Sequence, residues 1–508
     1  MNIVNMLEDN ARSFPKRKAL IFLDKTYSYE KLNSKANQYS NLFREIYQID
    51  SGNKIGILLN NCPEYIFSIF GALKTGATIV PINRFLTATE IEYIINDCGI
   101  SHLISADDFT DYFMHLLDKC KSLKKIVVVE HENHKHNKID TIEKFVSGFS
   151  SENPGLSIDS ESTAVIIYTS GTTGFPKGAM LSHKNILSNA QSCTQVINVT
   201  KRDRLLLALP MFHSFTFTVC IMMTLYKGAT IVGLPSIKPF STVLKAIILH
   251  RITLFIGIPK IYEILSERTI PFFIRPFIRI RACISGSAPL SLTTLKNFNK
   301  NIRIPLLEGY GLSESSPVVS VNPLYGERKA GSVGLPVPGV EVRIVDDNLQ
   351  PVPIGESGEI CVKGDNVMTG YYNHKEQTDE VLNDGWLRTG DIGKIDEDGY
   401  VYILDRKKDM ILMQGMNIYP REIEEAILAH PAVEEAAVIG VHDNKHGEVP
   451  VAFIVKKETA ELERKHILHF LRNRIAAYKC PRKIVFIDKL PRSGLGKILK
   501  KELLDIIK

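Results

Sequence analysis

The chain has 508 residues, of which 44% are hydrophobic and 23% charged, and its formal net charge is +6. This composition is that of an ordinary globular protein, so it excludes disorder, collagen and a long coiled coil. The small basic excess argues against a dedicated nucleic-acid-binding protein, and the length predicts roughly three units, or fewer in a large α/β enzyme.

The N-terminal segment and the cysteines favour a cytoplasmic protein. The first residues include acids where a secretory signal would be basic, and the eight cysteines contain no CxxC pair. The longest apolar run, 215–226, has about 12 residues, well short of the roughly 18 needed to cross a bilayer. We therefore predict no transmembrane segment and leave peripheral membrane contact open.

The first 130 residues alternate short apolar runs with stretches of helical periodicity. Strands are predicted at 54–59, 77–81, 101–105 and 125–130, and a further one at 163–170 after a polar stretch. Strands that alternate with helices are typical of parallel βαβ units. Because alternating elements continue to about residue 330, the sequence predicts an α/β fold.

The pattern changes after residue 330. Short strand-like runs between Gly, Pro and Asp turns predict a small antiparallel, barrel-like β unit over 331–404. A charged run at 405–409 separates it from a last α+β stretch. We therefore predict a large N-terminal domain, 1–404, a hinge at 405–408 and a small, mobile C-terminal domain, 409–508.

The segment YTSGTTGFPKGAM, 168–180, carries the strongest chemical signal. It follows a predicted strand and precedes a helical stretch that starts near His183. Its glycines and hydroxyls offer many donors to one anion, and Lys177 adds a positive charge. It is not a Walker A loop, because Pro176 precedes the lysine and Gly178 follows it. We interpret it as a phosphate-binding loop.

This segment resembles the signature of the adenylate-forming superfamily, which includes acyl-CoA synthetases, luciferases and peptide-synthetase adenylation domains. Further motifs occur in that superfamily's order along essentially the whole chain: SGSAP, EGYGLSE, TGD, DRKKD and PRSGLGK. The run EGYGLSESSPVVSVNP looks most like long-chain fatty-acid–CoA ligases. The resemblance implies the two-domain fold, with ATP, Mg²⁺, CoA and a fatty acid as partners and no nucleic acid.

The resemblance also assigns roles in the ATP site. Tyr310 would lie against the adenine ring, Ser313 would contact phosphate, and Glu314 would hold Mg²⁺ and serve catalysis. Asp391 would accept both ribose hydroxyls, and Arg406 would reach the ribose. The remaining ATP-site positions implied by the motifs are Thr169, Ser170, Gly171, Thr172, Thr173, Gly174, Lys177, Gly286, Ser287, Ala288, Glu308, Gly309 and Gly311.

Carboxylates suit two of these roles on chemical grounds. Mg²⁺ on a triphosphate accepts one or two carboxylates and keeps several waters, as expected for Glu314. The two oxygens of Asp391 can each accept a hydrogen bond from a ribose hydroxyl. Without the motif context, each acid would be an ordinary surface or turn residue.

The resemblance places the catalytic lysine and the pivot in the C-terminal part. Lys497, in a glycine-flanked run, matches the catalytic lysine, where a cation would stabilise the approach of a carboxylate to the α-phosphate. Lys408 occupies the pivot position. Gly415 would border the channel for the pantetheine arm. Lys479 belongs to a basic C-terminal module that either is simply solvated or holds the phosphates of CoA.

The segment LPMFHSFTFT, 209–218, resembles the family's acyl-site motif. His213 takes the gate position near the carboxylate, as a catalytic and pocket residue. The segment has no acid to pair with a substrate ammonium, and a buried unpaired ammonium is costly. A carboxylic acid with an uncharged tail is therefore expected. The predicted acyl pocket comprises His213, Phe217, Gly257 and Pro259.

We therefore expect a fatty acid to be activated to an acyl-adenylate and transferred to CoA. The alternatives are an acyl–acyl-carrier-protein synthetase, an aryl or medium-chain CoA ligase, a non-catalytic homologue and, more remotely, a luciferase-like oxygenase. A homodimer is left open. The segment 270–281 alternates apolar residues with arginine, so it could rest on a membrane surface or form a buried helix with snorkelling arginines.

Overall fold

The structure is a computed structural model, and it describes most of the chain. The described ranges are 1–129, 136–169, 176–271, 273–413, 416–443, 447–457, 461–472, 474–492 and 498–507, without the side chains of 143 and 144. Within them the protein is a mixed α/β molecule with four sheets, which confirms the predicted fold class.

The N-terminal elements alternate strands and helices as predicted. In chain order they are α1 (Ile3–Ser13), β1 (Lys18–Phe22), β2 (Lys25–Ser28), α2 (Tyr29–Glu45), β3 (Lys54–Leu58), α3 (Pro63–Lys74), β4 (Thr78–Pro81), α4 (Ala88–Cys98), β5 (His102–Ser105), α5 (Thr110–Lys119), β6 (Lys125–Val128), β7 (Ile139–Thr141), α6 (Glu143–Val146) and β8 (Thr163–Thr169). Local chemistry sets their ends. For example, Thr87 caps α4 in a capping box with Glu90, and Gly99 ends it at φ 68°.

The central part continues this alternation. Its elements are β9 (Lys177–Ser182), α7 (His183–Ile197), β10 (Arg204–Leu207), a π-helical segment (Thr216–Met222), α8 (Met223–Tyr226), β11 (Thr230–Gly233), α9 (Phe240–Leu249), β12 (Leu254–Gly257), α10 (Pro259–Ser266), β13 (Ala282–Ser285), α11 (Leu292–Asn301), β14 (Leu306–Gly311) and β15 (Val318–Val321). The apolar run 215–226 is thus a buried helical segment, and no helix of the described chain is long and apolar enough to span a bilayer.

The last part begins with short strands. Its elements are β16 (Leu335–Pro336), β17 (Val340–Val345), β18 (Gly358–Gly364), β19 (Gly370–Tyr371), α12 (Lys375–Val381), β20 (Leu382–Asn383), β21 (Trp386–Ile395), β22 (Val401–Arg406), β23 (Ile411–Met413), β24 (Met416–Ile418), α13 (Pro420–Leu428), β25 (Val433–Asp443), β26 (Gly447–Lys456), α14 (Arg464–Leu471), β27 (Lys483–Phe486) and α15 (Lys500–Asp505).

Two large sheets form the body of the N-terminal part. The strand order of one is β19-β9-β8-β4-β3-β5-β6-β7, and that of the other is β16-β15-β14-β13-β12-β10-β11-β1-β2. The strands from β8 to β7 in the first sheet and from β14 to β1 in the second run parallel. The predicted βαβ units are therefore confirmed.

The antiparallel unit expected after residue 330 is also present. Strands β17, β18, β21 and β20 form one antiparallel sheet, and β22 pairs with β21. Turn residues between its short strands explain why the sequence indicated this unit.

The phosphate-loop segment differs from the expected strand–loop–helix arrangement. Lys177 opens β9, which pairs antiparallel with β8 so that Thr169 lies opposite Lys177. The described ends of the segment are therefore two paired antiparallel strands, and α7 starts only after β9. The reason is burial, because Ala179 and Leu181 fill the sheet and are almost fully enclosed.

The segment 270–281 is not the buried helix that we considered. Within its described residues it forms only a short helical turn, Arg275–Phe277, and its aromatic side chains are exposed. Two prolines and the alternation of apolar and basic residues leave no continuous apolar face for a helix to bury.

Candidate active site

Several predicted ATP-site residues lie at or just after the carboxyl ends of strands in the two large sheets. Ser285 ends β13, Gly311 ends β14 and Thr169 ends β8. In α/β proteins ligands bind in the crevice outside such strand ends. The fold therefore gathers motifs that are far apart in the sequence at one place.

Glu314 lies where two of the sheets meet. Its Oε1 accepts a hydrogen bond of 3.2 Å from the Thr169 hydroxyl and one of 3.1 Å from the Tyr371 hydroxyl. The Lys177 ammonium is 5.4 Å from the centroid of the Tyr371 ring, within cation–π range. The resemblance did not single out Tyr371, which reaches the site because β19 pairs with β9.

Tyr371 keeps its proton at this position. Burial, together with the adjacent Glu314 carboxylate, raises the pKa of the Tyr371 phenol far above its ordinary value. The hydroxyl is therefore always available to donate to Glu314. The donor fixes the rotamer of a carboxylate that would otherwise be a mobile acid.

The contacts of Glu314 suit a hard cation. Both donors use Oε1, and among the described residues Oε2 has no hydrogen-bond partner. The described part of the chain contains no cluster of three His, Cys, Asp or Glu side chains that could enclose a metal. A cation at Glu314 would thus take its other oxygens from phosphates and water, which is the usual coordination of Mg²⁺.

Asp391 connects three of the motifs. Its Oδ2 accepts a 2.6 Å hydrogen bond from the Tyr310 hydroxyl, and its Oδ1 lies 3.3 Å from Nε of Arg406. Asp391 and Arg406 are opposite each other on β21 and β22. Burial and the carboxylate raise the pKa of Tyr310 well above its ordinary value, so Tyr310 remains a donor. Tyr310 and Arg406 together hold the Asp391 carboxylate in one orientation.

The acyl motif and the nucleotide motif meet through two serines. The hydroxyl of Ser214 lies 3.0 Å from the hydroxyl of Ser313. Next to it, Nδ1 of His213 accepts a hydrogen bond of 3.2 Å from the backbone N–H of Phe215. This bond leaves Nε2 of a neutral His213 as the ring nitrogen that carries the proton. The sequence motif predicted His213 but not the serine contact.

The turn after β13 consists of the small residues Gly286, Ser287 and Ala288. A Cβ added at Gly286 would lie 2.9 Å from the Phe215 ring, so a larger residue would displace that ring. Ser287 has φ of 70°, the left-handed region, and its side chain and that of Ala288 are exposed. This turn therefore presents its backbone to whatever binds beside it, as the resemblance implies for adenine.

Glu308 supports the same turn from behind. The residue is 5% exposed, and its Oε1 accepts a 3.0 Å hydrogen bond from the backbone N–H of Leu290. Burial raises the pKa of Glu308 to about 7. Nearby, Gly309 and Gly311 lie against the backbone of β15 and the residue before it, because an added Cβ would be 3.1 Å from the Ser320 carbonyl oxygen and 2.0 Å from that of Pro317.

The predicted acyl-pocket residues lie close to this turn. Phe217 is fully buried in the π-helical segment, Gly257 ends β12, and Pro259 begins α10. A Cβ added at Gly257 would come within 3.1 Å of the Tyr262 hydroxyl, which is 2.8 Å from the carbonyl oxygen of Phe255. Glycine at 257 thus allows the Tyr262 ring of α10 to pack closely against the end of β12.

The C-terminal predictions are only partly within the described residues. Lys408 follows Arg406 in a short helical turn, and burial together with Arg406 lowers the pKa of Lys408. The Lys479 ammonium lies 2.7 and 2.6 Å from the two carboxylate oxygens of Glu422. The predicted residues that lie outside the described chain are Ser170, Gly171, Thr172, Thr173, Gly174, Gly415 and Lys497.

Comparisons with known proteins agree with these motifs. Residues 7–372 match the profile of the AMP-binding enzyme family, and residues 422–497 match the AMP-binding enzyme C-terminal domain. A long-chain-fatty-acid–CoA ligase of Bacillus subtilis (strain 168) is 36% identical over 534 residues, which cover 99% of this chain and 94% of that protein. A feruloyl-CoA synthase of Amycolatopsis sp is 32% identical over 493 residues, covering 97% and 96%.

A solved structure shows the same fold over the whole length. The anthranilate CoA ligase AuaEII in complex with anthranoyl-AMP has a TM-score of 0.92 and 28% sequence identity to this chain. The superposition covers 100% of this chain and 97% of that one.

Proposed function

The chain belongs to the AMP-binding enzyme family, and from that membership we propose that it joins a long-chain fatty acid to CoA with the use of ATP. Its relatives establish the coarser activity, an AMP-forming acid–CoA ligase that uses ATP, Mg²⁺ and CoA. The observation that carries the fatty-acid proposal is the acid-free segment 209–218, which meets the nucleotide motif at the Ser214–Ser313 contact.

The reaction has two steps. A carboxylate oxygen of the acid attacks the α-phosphorus of ATP, which forms the acyl-adenylate and releases pyrophosphate. The CoA thiolate then attacks the acyl carbonyl carbon, the thioester forms, and AMP leaves with the electrons of the broken carbon–oxygen bond. Both steps develop negative charge beside phosphate, so donors and cations at fixed positions are what the protein must supply.

We assign the fixed groups on the basis of the contacts above. Asp391 would accept the ribose hydroxyls, with Tyr310 and Arg406 holding the carboxylate in place. The charge neutralisation that Mg²⁺ provides when bound would fall on the phosphates next to Glu314. Lys177 would contact the same phosphates from the start of β9.

The break in the hydrophobic core supports the predicted division into domains. One cluster of buried apolar residues runs from Ile3 to Val401, and two further clusters contain only residues from Ile411 onwards. We place the boundary at the hinge 405–408, with Lys408 as the pivot. A boundary there lets the C-terminal domain move without disturbing either core.

The experiment for the substrate is AMP release over a panel of acids, with CoA present or absent. We expect kcat/KM for palmitate to exceed that for octanoate by about tenfold or more, because each buried methylene contributes about 0.8 kcal/mol. Ferulate and anthranilate test the aryl alternative, and an acyl carrier protein in place of CoA tests the other acceptor. Preference for an aryl acid, or turnover only with the carrier protein, would overturn the proposal.

We also propose that the segment 270–281 contacts an anionic membrane surface. Phe273 and Phe277 are 62% and 61% exposed, and Arg275 and Arg279 lie beside them. The segment contains no acid, so its charge complements anionic headgroups while its aromatic rings can enter the interface. A long-chain acid partitions into the same surface.

Vesicle flotation tests this contact. The protein is expected to float with phosphatidylglycerol vesicles, less with phosphatidylcholine vesicles, and several-fold less in either case after Phe273→Ser with Phe277→Ser. Phe85→Ser is the matched control, because Phe85 is also exposed but lies on another part of the chain. Equal flotation of the double variant and the wild type would refute the contact.

A further inference from the structure

One carboxylate of the C-terminal part, that of Glu435, contacts Lys260 on α10. Glu435 on β25 has its Oε1 3.7 Å from the Lys260 ammonium and 2.8 Å from Nη2 of Arg492. Lys260 is the second residue of α10 and follows Pro259, a predicted acyl-pocket residue. The Glu435 side chain is 18% exposed, so water only partly screens its attraction to the two cations.

Arg492 lies at the base of the loop that carries the predicted catalytic lysine. Residues 493–497 are outside the described chain, but the residues on either side of them are paired. Arg492 forms an antiparallel bridge with Ile498, and the backbone N–H of Leu499 donates to the Pro491 carbonyl oxygen over 2.9 Å. The base of the loop is therefore closed, and Glu435 fixes its position relative to α10.

The two ion pairs of Glu435 differ in how they respond to movement at the hinge. Lys260 precedes Lys408 in the chain, whereas Glu435 and Arg492 both follow it. If the C-terminal domain turns about Lys408 between the two reaction steps, the Lys260 contact must break while the Arg492 contact travels with the domain. Only the arrangement with the Lys260 contact intact keeps Arg492 and Ile498 beside α10.

We propose that Glu435 is a positioning residue for the first reaction step: by bridging Lys260 and Arg492 it holds the C-terminal part against α10 during adenylation. This rests on the proposed function. The bridge is not needed for thioester formation, because that step uses a different orientation of the domain. A partly exposed pair is a modest contributor, so its loss slows adenylation by about three- to tenfold.

Half-reactions separate the two steps. ATP–pyrophosphate exchange with palmitate reports adenylation, and conversion of supplied palmitoyl-adenylate by CoA reports the second step. Lys260 also pairs with Glu263 on its own helix at 2.9 Å, so Lys260→Glu places a carboxylate beside those of Glu263 and Glu435. The variant should lower exchange about three- to tenfold while leaving thioesterification unchanged. Lys260→Arg keeps the charge and should restore exchange. Glu435→Gln weakens both contacts and should show the same split as Lys260→Glu.

Asp488→Asn is the matched control. Asp488 is an exposed carboxylate of the C-terminal part and makes no hydrogen bond or ion pair within the described residues. Equal losses in both half-reactions, or normal exchange in Lys260→Glu, would overturn the positioning role. Absence of exchange with any fatty acid in the wild-type protein would instead refute the proposed function, so the two failures are distinguishable.

Discussion

At the scale of single residues, the carboxyl groups of the site differ in their hydrogen-bond and ion-pair partners. Asp391 is paired with Arg406, and Glu314 accepts two hydroxyl hydrogen bonds. Glu308 is about as buried as Asp391, but among the described residues its carboxylate receives only a backbone N–H, so burial dominates and raises the pKa of Glu308 to about 7. Ionisation of a carboxyl in this environment lowers the stability of the folded protein.

The pH dependence of stability tests this view of Glu308. The carboxyl has an ordinary pKa of 4.5 and a folded-state pKa of about 7, so the folded protein binds more protons between these values. Its contribution to the free energy of unfolding therefore falls as pH rises through this window, by about 3 kcal/mol at full ionisation. Glu308→Gln keeps an acceptor oxygen and should remove this loss.

Urea unfolding at pH 5 and pH 8 provides the measurement. Relative to the wild type, Glu308→Gln should have a higher free energy of unfolding at pH 8 than at pH 5. Glu341→Gln is the control, because Glu341 is exposed on β17. Parallel pH profiles of Glu308→Gln and the wild type would show that Glu308 does not titrate in this way.

At the scale of elements, the strand that carries EGYGLSE shows how packing places a motif. Gly311 pairs with Val318 where β14 turns back towards β15. A Cβ at Gly311 would lie 2.0 Å from the carbonyl oxygen of Pro317, which no small shift can relieve. The close approach of the two backbones sets the position of Glu314, three residues further along the chain.

Gly311→Ala should therefore destabilise the protein and weaken nucleotide binding. We expect a loss of about 2 kcal/mol or more in the free energy of unfolding, because the strands must separate to admit the methyl group. The KM for ATP should rise with it. Gly148→Ala is the control, since the nearest atom to an added Cβ there is 3.4 Å away and its φ is not positive. Wild-type stability of Gly311→Ala would contradict the packing argument.

At the scale of the whole molecule, hydrogen bonds connect residues on the two sides of the hinge. The backbone N–H of Arg421 donates to Oδ2 of Asp405 over 2.7 Å, and its Nη1 donates to the Ile403 carbonyl oxygen over 3.0 Å. Burial raises the pKa of Asp405 to about 6. These bonds hold one arrangement of the C-terminal part, and they join residues on opposite sides of Lys408.

The role proposed for Lys497 comes from the sequence motif and can be tested separately for each reaction step. Lys497→Ala should abolish ATP–pyrophosphate exchange, because no cation then offsets the repulsion between carboxylate and α-phosphate. Thioesterification of supplied acyl-adenylate should persist. Lys489→Ala, an exposed lysine of the same basic module, is the control for loss of charge. Equal damage to both half-reactions would rule out the step-specific role.

The sequence by itself determined the fold class, the family, and the positions of the five strands predicted before residue 170 to within a residue or two. For example, the strand expected at 54–59 is observed as Lys54–Leu58. These features depend on local periodicity and on motifs of a few residues, which are readable in a single chain. The sequence did not predict β9, because this short strand lies directly between a glycine-rich run and a helical stretch.

Only the tertiary structure decided which side chains meet. Tyr371 and Glu314 are 57 residues apart, and Tyr310 and Asp391 are 81 residues apart. The bridge of Glu435 to Lys260 likewise joins the two sides of the hinge. No local pattern encodes such pairs, because they arise when β19 pairs with β9, when the β unit docks beside β14, and when the last domain settles against α10.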